Sequence, residues 1–410
     1  MTVEKNEQTV VNVHLEEDDK TYPIVIGFKT IQHHLADYLK NQIEKRPARV
    51  LVVTDENVER AGHLARVVSC IKRAKLEVHA VAIAPGESSK CIDSWMELSK
   101  KLSDESFTRD DLVIALGGGV VGDLAGFAAS TYMRGIRLIQ IPTSLLAMVD
   151  SSVGGKVAID LGFKKNLLGS FWQPIAVFVD LDFLKTLPEE WWRDGFGECL
   201  KCMLLKDSTS KILRHDTPED LVKKMMRDPE FLFKTVKACI ELKREVVEYD
   251  QHEDIDFGCF QRKILNFGHT LGHALEKVTE FKLSHGRAVL LGILGACGYA
   301  VESKLGHLEP EDLARARELV KLCYGEKKFN EDTAMLVMLG KGREALEAKI
   351  LDALRFDKKI GRRGKLEIVL PWAILRGQQF PEIDPKQARE KFIAPALRAI
   401  FRSSSTPDKQ

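Results

Sequence analysis

Short apolar runs alternate with helical patterns through the first half of the chain. The runs that we predict to be buried strands lie at 49–54, 78–84, 111–116, 137–141 and 176–180. Two earlier runs, 10–15 and 22–27, flank a polar turn and predict a β-hairpin, and a helix is predicted around 32–42. Because buried strands that alternate with helices form parallel sheets covered on both faces, the pattern predicts a Rossmann-like α/β domain over 1–187.

The pattern changes after Pro188, where long helical stretches are joined by short polar segments. Helices are predicted at 189–205, 234–249, 309–323, 330–339, 342–356 and 385–400, with another beginning near Gly286 and a lone strand at 364–370. This half therefore predicts a second, mainly α-helical domain over 188–402. Residues 1–8 and the tail 403–410 are predicted to be disordered.

One stretch of the second half, 262–276, combines a helical period with an unusual polar face. The polar side chains that share this face are Arg262, Asn266, His269, His273 and Glu276. Such a set suits anion or metal binding. Two glycines, Gly268 and Gly272, fall inside the predicted helix, where each destabilises the helix by about 1 kcal/mol relative to alanine. Their presence despite this cost indicates close approach of a backbone or a ligand. The alternative is a half-exposed helix with two histidines on its solvated side.

Composition narrows the range of partners. The 410 residues are 44% hydrophobic, which is ample for two cores, and 61 basic against 60 acidic residues give no indication of nucleic acid or a charged membrane surface as a partner. No apolar run reaches the roughly 18 residues that span a bilayer. Eight scattered cysteines and a polar start predict reduced thiols in a cytoplasmic protein. Cys199 and Cys202 match C-x-x-C, but a position inside one helix favours packing thiols over redox or zinc chemistry.

Polar clusters follow the ends of the predicted parallel strands, where ligands of such sheets bind. Gly117, Gly119 and Gly122 match G-x-G-x-x-G between a strand and a helix, which suits a pyrophosphate, although a tight turn without a ligand has the same pattern. Arg137 rather than an acid lies about 20 residues further on, so Asp55 on an earlier strand is the better partner for a ribose hydroxyl. A Gly-Gly-Lys turn ending at Lys156 can hold a phosphate.

A metal site can be assembled from helices of the second half. His269 and His273 are four residues apart, His285 begins a neighbouring helix, and Glu198 lies on another. Two histidines and one carboxylate with an open position are a catalytic zinc arrangement. The spacing alone leaves open which two histidines bind the metal.

Eleven short segments together resemble 3-dehydroquinate synthases, within the wider sugar-phosphate cyclase group. The matching segments are Gly86–Lys90, Gly117–Asp123, Thr131–Gly135, Ile141–Ala147, Val149–Lys156, Lys165–Asn166, Gly197–Glu198, Lys201, Leu265–His273, His285–Gly286 and Asp357–Lys359. They occur in the order of the family across nearly the whole chain.

The resemblance implies an NAD-binding first domain, a helical domain with zinc (or cobalt) on Glu198, His269 and His285, and a homodimer. The implied substrate is 3-deoxy-D-arabino-heptulosonate 7-phosphate, a sugar acid phosphate, in the second step of the shikimate pathway. It is oxidised, loses phosphate, is reduced, opens and closes by an aldol reaction. NAD takes a hydride and returns it, and zinc acidifies the reacting hydroxyl.

The resemblance also implies a role for each group of site residues. Phosphate contacts are implied for Arg134, Lys156 and Asn166. Contacts to the carboxylate and ring hydroxyls are implied for Lys201, Lys243, Arg262, Asp150, Asn266 and His273, with a proton relay at His273, and Lys358 completes the anion pocket. The implied NAD contacts are Asp55, Asn57, Glu87, Lys90, Gly118, Gly119, Asp123, Thr143, Ser144 and Lys165.

Some positions depart from the family pattern. Phe196 and Gly197 replace Met-Ala before Glu198, Val157 replaces a Thr, Arg287 replaces a Glu after His285-Gly, and the segment 254–261 is longer. Another sugar-phosphate cyclase, of sedoheptulose 7-phosphate (valiolone type), deoxy-inosose or aminodehydroquinate type, therefore remains an alternative. So do a non-catalytic relative and an alcohol dehydrogenase of related fold. Arg262 and the pair Gly272-His273 favour the dehydroquinate reaction.

Overall fold

The computed structural model describes residues 8–16, 20–162, 164–205, 220–253, 262–305, 308–355, 366–373, 376–379, 382–383 and 389–401. Lys358, the segment 254–261 and the tail 403–410 lie outside these residues. The chain divides into two compact units, Met1–Trp192 with Val236–His252, and Arg193–Thr235 with Glu253–Gln410. The sequence pattern placed Val236–His252 with the second half. It belongs to the first unit because its polar side chains bind there: Lys243 pairs with Asp150, and Glu248 accepts a hydrogen bond from the backbone N–H of His14.

The first unit contains a seven-stranded sheet and a separate hairpin. The strands are β1 Gln8–Leu15, β2 Lys20–Gly27, β3 Arg49–Asp55, β4 Glu77–Ile83, β5 Leu112–Gly117, β6 Arg137–Pro142, β7 Lys156–Leu161, β8 Lys164–Phe171 and β9 Ala176–Asp180. The order in the sheet is β1-β2-β9-β6-β5-β3-β4, and β7 pairs with β8 apart from it. The β1–β2 pair is antiparallel and every other pair of this sheet is parallel. The predicted hairpin and parallel sheet are thus confirmed.

Helices connect the parallel strands of this sheet. They are α1 Glu56–Arg60, α2 His63–Arg73, α3 Ile92–Asp104 and α4 Gly119–Thr131, and the helix predicted around 32–42 is two π-helical segments, Ile31–Leu35 and Tyr38–Gln42. The chain leaves β3 toward β4 on one side and returns to β5 on the other. Right-handed crossovers then place α2 on one face and α3 and α4 on the opposite face.

The core of the first unit lies between the sheet and these helices. Residues of β3, β5 and β6 pack there with one face of α3 and α4, including Leu98, Leu102, Leu124 and Ala128, which are at most 2% exposed. Both faces of the parallel strands are buried, as in Leu112–Gly117, so their sequences read as continuous apolar runs.

The second half of the chain is mainly helical, as predicted. The helices from Pro188 onward are α5 Glu189–Leu205, α6 Leu221–Arg227, α7 Pro229–Tyr249, α8 His269–Val278, α9 His285–Glu302, α10 Pro310–Tyr324, α11 Glu326–Gly340, α12 Arg343–Arg355 and α13 Ala394–Phe401. The predicted lone strand is instead part of two small antiparallel pairs, β10 Leu366–Glu367 with β13 Glu382–Ile383 and β11 Leu370–Ala373 with β12 Arg376–Gln379. Of the described helices, none combines the length and the apolar character needed to cross a membrane.

The stretch 262–276 is not one continuous helix, so that prediction was wrong. A 3-10 helix, Arg262–Asn266, precedes Gly268, which has φ +78° and is the N-cap residue of α8. A Cβ on Gly268 would lie 2.8 Å from both Ile293 Cγ1 and the carbonyl oxygen of Val289. The chain breaks here because α8 and α9 meet backbone to backbone, which confirms the predicted close approach.

Candidate active site

The glycine turn after β5 is shaped by its contacts with neighbouring strand ends. A Cβ on Gly117 would lie 2.5 Å from Val121 Cβ, so only glycine fits there. The backbone N–H of Thr143, after β6, donates to the carbonyl oxygen of Gly117 at 2.9 Å. A Cβ on Gly118 would lie 3.4 Å from Ser144 Oγ. The structure therefore brings Gly118, Thr143 and Ser144 together beside the start of α4, as expected for a phosphate-binding turn.

Asp55 ends β3 next to this turn in the sheet. Strand β3 pairs with both β4 and β5, so the strand order reverses beside β3, which is where ligands of open parallel sheets bind. The Oδ1 atom of Asp55 accepts hydrogen bonds from the backbone N–H of Asn57 (2.8 Å) and Val58 (3.0 Å). The carboxylate thus caps α1 and is held at the strand end, a position suited to the predicted ribose contact.

Lys90 is the centre of an ion network after β4. It is 4% exposed, and its Nζ lies 3.1 Å from Glu87 Oε1, 3.1 Å from Asp123 Oδ2 and 3.8 Å from Asp160 Oδ1. Burial alone would lower the pKa of Lys90, but the three carboxylates raise it to about 12. Burial raises the pKa of Asp123 to about 6 despite the attraction of Lys90. Lys165 lies 3.7 Å from Glu87, so four of the predicted NAD residues form one charged cluster.

The three residues predicted to bind phosphate, Arg134, Lys156 and Asn166, have different surroundings. Asn166 joins the Lys90 cluster: its Oδ1 accepts from Lys90 Nζ at 2.6 Å, and its N–H donates to Asp160 Oδ1 at 2.8 Å. Arg134 and Lys156 are exposed. Arg134 and Asn166 have φ of +66° and +53°, which is uncommon for residues other than glycine.

Lys243 and Asp150 form the second predicted cluster of the first unit. The Nζ atom of Lys243 lies 2.6 Å from Asp150 Oδ1, and the Lys243 side chain is 9% exposed. Their pairing brings together one cation and one acceptor from the predicted substrate set.

The metal candidates converge in the second unit. The Nε2 atoms of His269 and His285 each lie 3.4 Å from Oε1 of the buried Glu198. One ligand atom from each of the three residues lies within 4.8 Å of the others. Two ligand atoms at about 2.0–2.1 Å from a tetrahedral zinc ion are about 3.4 Å apart, so the observed separations fit a shared ion.

The other ring nitrogens of these histidines are held by acceptors. His269 Nδ1 lies 3.1 Å from the carbonyl oxygen of Phe267, which can only accept, so Nδ1 carries the hydrogen and Nε2 presents a lone pair. His285 Nδ1 lies 3.5 Å from Glu276 Oε2. This is the arrangement that orients metal-binding imidazoles.

The charges around Glu198 also favour a cation. Both Glu198 oxygens are buried, and neither accepts a hydrogen bond of normal geometry from the described residues, although Lys201 Nζ contacts Oε2. Burial raises the pKa of Glu198, but Lys201 and His285 outweigh it and lower the pKa to about 2. Burial lowers the pKa of His285, and Glu198 and Glu276 raise it well above its usual value. A divalent ion competes with that proton for the imidazole.

Of the other predicted residues of the second unit, His273 lies on α8, and Arg262 and Asn266 lie on the 3-10 helix that precedes it. The His273 ring centroid is 5.3 Å from that of His269 and 5.9 Å from that of His285. Asn266 Nδ2 donates to Glu253 Oε1 at 3.2 Å, and Arg262 is 3% exposed. His273, Glu276 and His285 also offer ligand atoms within 4.8 Å of one another.

Sequence reasoning gave no role to four residues that the structure places at these sites. Asp160 contacts Lys90, Glu276 supports His285, Glu253 binds Asn266, and Asp194 binds the start of α9. Glu276 carried a signal, because it shares the polar face of His269 and His273. The other three lie far in sequence from their partners, so no local pattern marks them.

Two family models and several relatives match the chain. Residues 80–194 match the family model described as 3-dehydroquinate synthase N-terminal, and residues 195–359 match 3-dehydroquinate synthase C-terminal. A 3-dehydroquinate synthase of Clostridium perfringens (strain 13 / Type A) is 40% identical over 355 residues, covering 81% of this chain and 96% of that protein. That of Lactiplantibacillus plantarum is 42% identical over 289 residues, covering 70% of this chain and 76% of that protein.

Solved structures of sugar-phosphate cyclases have the same fold. A 2-deoxy-scyllo-inosose synthase complexed with carbaglucose-6-phosphate, NAD+ and Co2+ superposes with a TM-score of 0.76 at 21% identity, covering 94% of this chain and 99% of that one. The 2-epi-5-epi-valiolone synthase of Streptomyces hygroscopicus, with NAD+ and Zn2+ bound, gives 0.75 at 24% identity, covering 92% and 97%. The fold is therefore that of the cyclases. Within that class, the chain belongs to the 3-dehydroquinate synthase family.

Proposed function

We propose that this chain converts 3-deoxy-D-arabino-heptulosonate 7-phosphate to 3-dehydroquinate and phosphate, with NAD and a divalent metal ion, zinc or cobalt. The observation that carries the proposal is the set Glu198, His269 and His285, in which both imidazoles lie 3.4 Å from one buried carboxylate oxygen. Family membership supports the reaction, and two fold neighbours were solved with NAD+ and a divalent metal. A homodimer, which the family resemblance implies, is part of the same proposal.

The first unit supplies the proposed NAD site. The N-terminus of α4 and the turn at Gly118 favour a pyrophosphate, because helix N-termini present backbone N–H groups to anions. Asp55 is fixed at the end of β3, where it would accept a hydrogen bond from a ribose hydroxyl. Lys90 holds the carboxylates of Glu87 and Asp123 in one cluster, which is proposed to contact NAD as well. Thr143 and Ser144 line the neighbouring strand end.

The second unit supplies the proposed metal site. Bound NAD would accept and return a hydride, and the bound metal would lower the pKa of a coordinated hydroxyl. Glu198, His269 and His285 would hold that ion, with Phe267 and Glu276 fixing the two imidazoles. His273 stands beside both rings, where it can bind a substrate hydroxyl and relay a proton.

Several cations are proposed to bind the two anionic groups of the substrate. Lys243 and Arg262 would bind the carboxylate and adjacent hydroxyls with Lys201, Asp150 and Asn266, and Arg134, Lys156 and Asn166 would bind the phosphate. Buried cations suit this task because their attraction is weakly screened, and Lys201, Lys243 and Arg262 are at most 7% exposed.

One assay tests the reaction. The protein is incubated with NAD+, Zn2+ and the heptulosonate phosphate, and in parallel with sedoheptulose 7-phosphate, which has no carboxylate. We expect phosphate and dehydroquinate in equal amounts from the first substrate, by colorimetry and mass spectrometry, and no net NADH. Phosphate release from sedoheptulose 7-phosphate alone would assign the chain to another cyclase, and net NADH would indicate a dehydrogenase.

A matched pair of variants on α5 controls this assay. Glu198→Gln keeps the shape of the side chain but removes the anionic ligand, so turnover is expected to fall at least a hundredfold. Glu190→Gln changes an exposed residue of the same helix and should keep the wild-type rate. Full turnover by Glu198→Gln would contradict the proposed metal site.

A further inference from the structure

Helix α9 begins at the metal candidate His285, yet its own flanking side chain does not cap it. Ser284 occupies the N-cap position, and its side chain makes no capping hydrogen bond in the described structure. Its hydroxyl instead accepts from Arg287 Nε at 2.7 Å. Without another acceptor, N–H groups of the first turn would remain buried and unsatisfied, which costs about 1–3 kcal/mol per group.

Asp194, on α5, supplies the missing acceptor. Its Oδ1 atom accepts from the backbone N–H of Gly286 at 2.8 Å and of Arg287 at 3.3 Å. Asp194 is 5% exposed, so this contact is shielded from water. The positive end of the α9 dipole stabilises the buried carboxylate in return.

The two helices also touch through their backbones at this point. A Cβ on Gly286 would lie 1.7 Å from the carbonyl oxygen of Asp194, and a Cβ on Gly197 would lie 2.4 Å from that of Gly286. Asp194 is one helical turn before Glu198 on α5, and its two donors directly follow His285 on α9. The same contact therefore fixes the spacing between two of the three metal candidates.

We propose that Asp194 is a positioning residue that sets the distance between Glu198 and His285 by capping α9 from α5. The inference rests on the proposed metal site and adds a residue that is not itself one of the proposed ligands. Loss of the carboxylate frees the first turn of α9 to rotate or fray, which displaces Nε2 of His285. Supporting contacts of this kind change metal affinity by about 10- to 100-fold.

The test measures Co2+ binding by the full chain, from the absorption bands of the bound ion, for the wild type and two variants. Asp194→Ala is expected to weaken Co2+ binding at least tenfold. Asp194→Asn keeps an oxygen that accepts from the same N–H groups, so its affinity should stay within about threefold of wild type and its spectrum unchanged. Asp228→Ala removes a comparable acceptor, from the N–H of Phe231 at the start of α7, and should not change Co2+ binding.

The outcomes separate this inference from the proposed metal site. If the wild type does not bind Co2+, the metal site and the inference both fall. If the wild type binds Co2+ and Asp194→Ala binds it equally well with the same spectrum, the metal site stands and the inference is overturned. Should Asp194→Ala not fold, Asp194→Ser decides, because its hydroxyl is one bond too short to reach both N–H groups, and the same tenfold loss is expected.

Discussion

The Nδ1 atom of His269 lies 3.1 Å from the carbonyl oxygen of Phe267, two residues earlier in the chain. Because Gly268 between them has φ +78°, the chain turns back on itself and this carbonyl meets the ring that follows. The backbone thereby favours the tautomer in which Nε2, the nitrogen that faces Glu198, carries a lone pair for a metal ion. His273 lies one turn later, and a nitrogen of its ring lies within 4.8 Å of ligand atoms of Glu276 and His285.

This difference predicts separate effects for the two histidines. His269→Ala should lose stoichiometric zinc, because one of three ligands is removed. His273→Ala should keep its zinc and lose turnover at least a hundredfold, since proton transfer by a positioned side chain contributes about 10²–10⁴. Zinc content after dialysis and phosphate release measure the two effects. His79→Ala, in the first unit, should change neither, and loss of zinc from His273→Ala would contradict the assignment.

Lys243 is expected to act on the substrate rather than on the fold. Lys243→Met should raise the KM for the heptulosonate phosphate at least tenfold, because a charge-assisted contact to the carboxylate is lost. Lys237→Met is the control, since Lys237 lies on the same helix and pairs with Glu241 at 3.7 Å, with both side chains partly exposed. Steady-state kinetics with both variants measure this. A lower melting temperature with unchanged KM would show that Lys243 serves only Asp150.

The Lys90 cluster predicts a stability loss that depends on pH. Lys90→Met leaves three carboxylates near one another and is expected to cost about 1–3 kcal/mol, less than a fully buried pair because Glu87 is 41% exposed. The variant raises the pKa values of these carboxyls in the folded state, including that of Asp123, already about 6. A carboxyl whose pKa is higher in the folded than in the unfolded state stabilises the fold at low pH. This contribution is lost as the pH rises from the unfolded-state pKa to the folded-state pKa.

The melting temperatures of Lys90→Met and the wild type should therefore differ more at pH 8 than at pH 5. Lys101→Met provides the comparison, because its partner Glu105 and Lys101 itself are both about a third exposed, at 33% and 37%. That variant should follow the wild type at both pH values. An equal loss for Lys90→Met at the two pH values would refute the electrostatic explanation.

Substitution of Gly268 is expected to destabilise the protein through a steric clash, and this effect can be separated from backbone strain. Gly268→Ala must fit a Cβ within 2.8 Å of Ile293 and Val289, in addition to the left-handed φ. Gly62→Ala has a similar φ of +80° with nothing within 4 Å of the new Cβ. The control should cost only the strain of about 1–2 kcal/mol, and Gly268→Ala should cost clearly more. Equal shifts in melting temperature would show that the close helix contact does not matter.

The sequence predicted the sheet well because its strands are buried on both faces. Strand β3 was expected at 49–54 and spans Arg49–Asp55, and β9 was expected and found at 176–180. Apolar runs bounded by polar residues are a local signal that the sequence shows directly. The polar residues Asp55, Gly118 and Thr143 stand at the ends of strands β3, β5 and β6, which are neighbours in the sheet, so they lie near one another as expected. The helical period of 262–276 was equally clear but misleading, because the break at Gly268 is imposed by α9.

The sequence marked the candidate metal site only through residue types that commonly bind metals, histidine and glutamate. Three histidines and Glu198 marked a candidate metal site, and the family resemblance rather than the spacing selected His269 and His285 as the expected ligands. The supporting groups were not predictable, because their partners lie far away in sequence: Asp194 binds Gly286 from 92 residues away. The acceptor for His269 is the main-chain oxygen of Phe267, and because every residue has such an oxygen, no residue type marks it in the sequence. Asn166 was expected at the phosphate, and its contact with Lys90 follows from a left-handed turn that the sequence does not mark.

The glycines at 197, 268, 286 and 292 let α5, α8 and α9 meet without intervening side chains. In most helical proteins, drift in core side chains gradually changes the spacing of helices over evolutionary time. Here that spacing is set by main-chain atoms, so leucines and valines around the site can be exchanged while the ligand positions stay the same. A Cβ at any of these four positions would collide with the backbone or a side chain of a neighbouring helix, so the geometry of the metal candidates depends on glycines that bind nothing themselves.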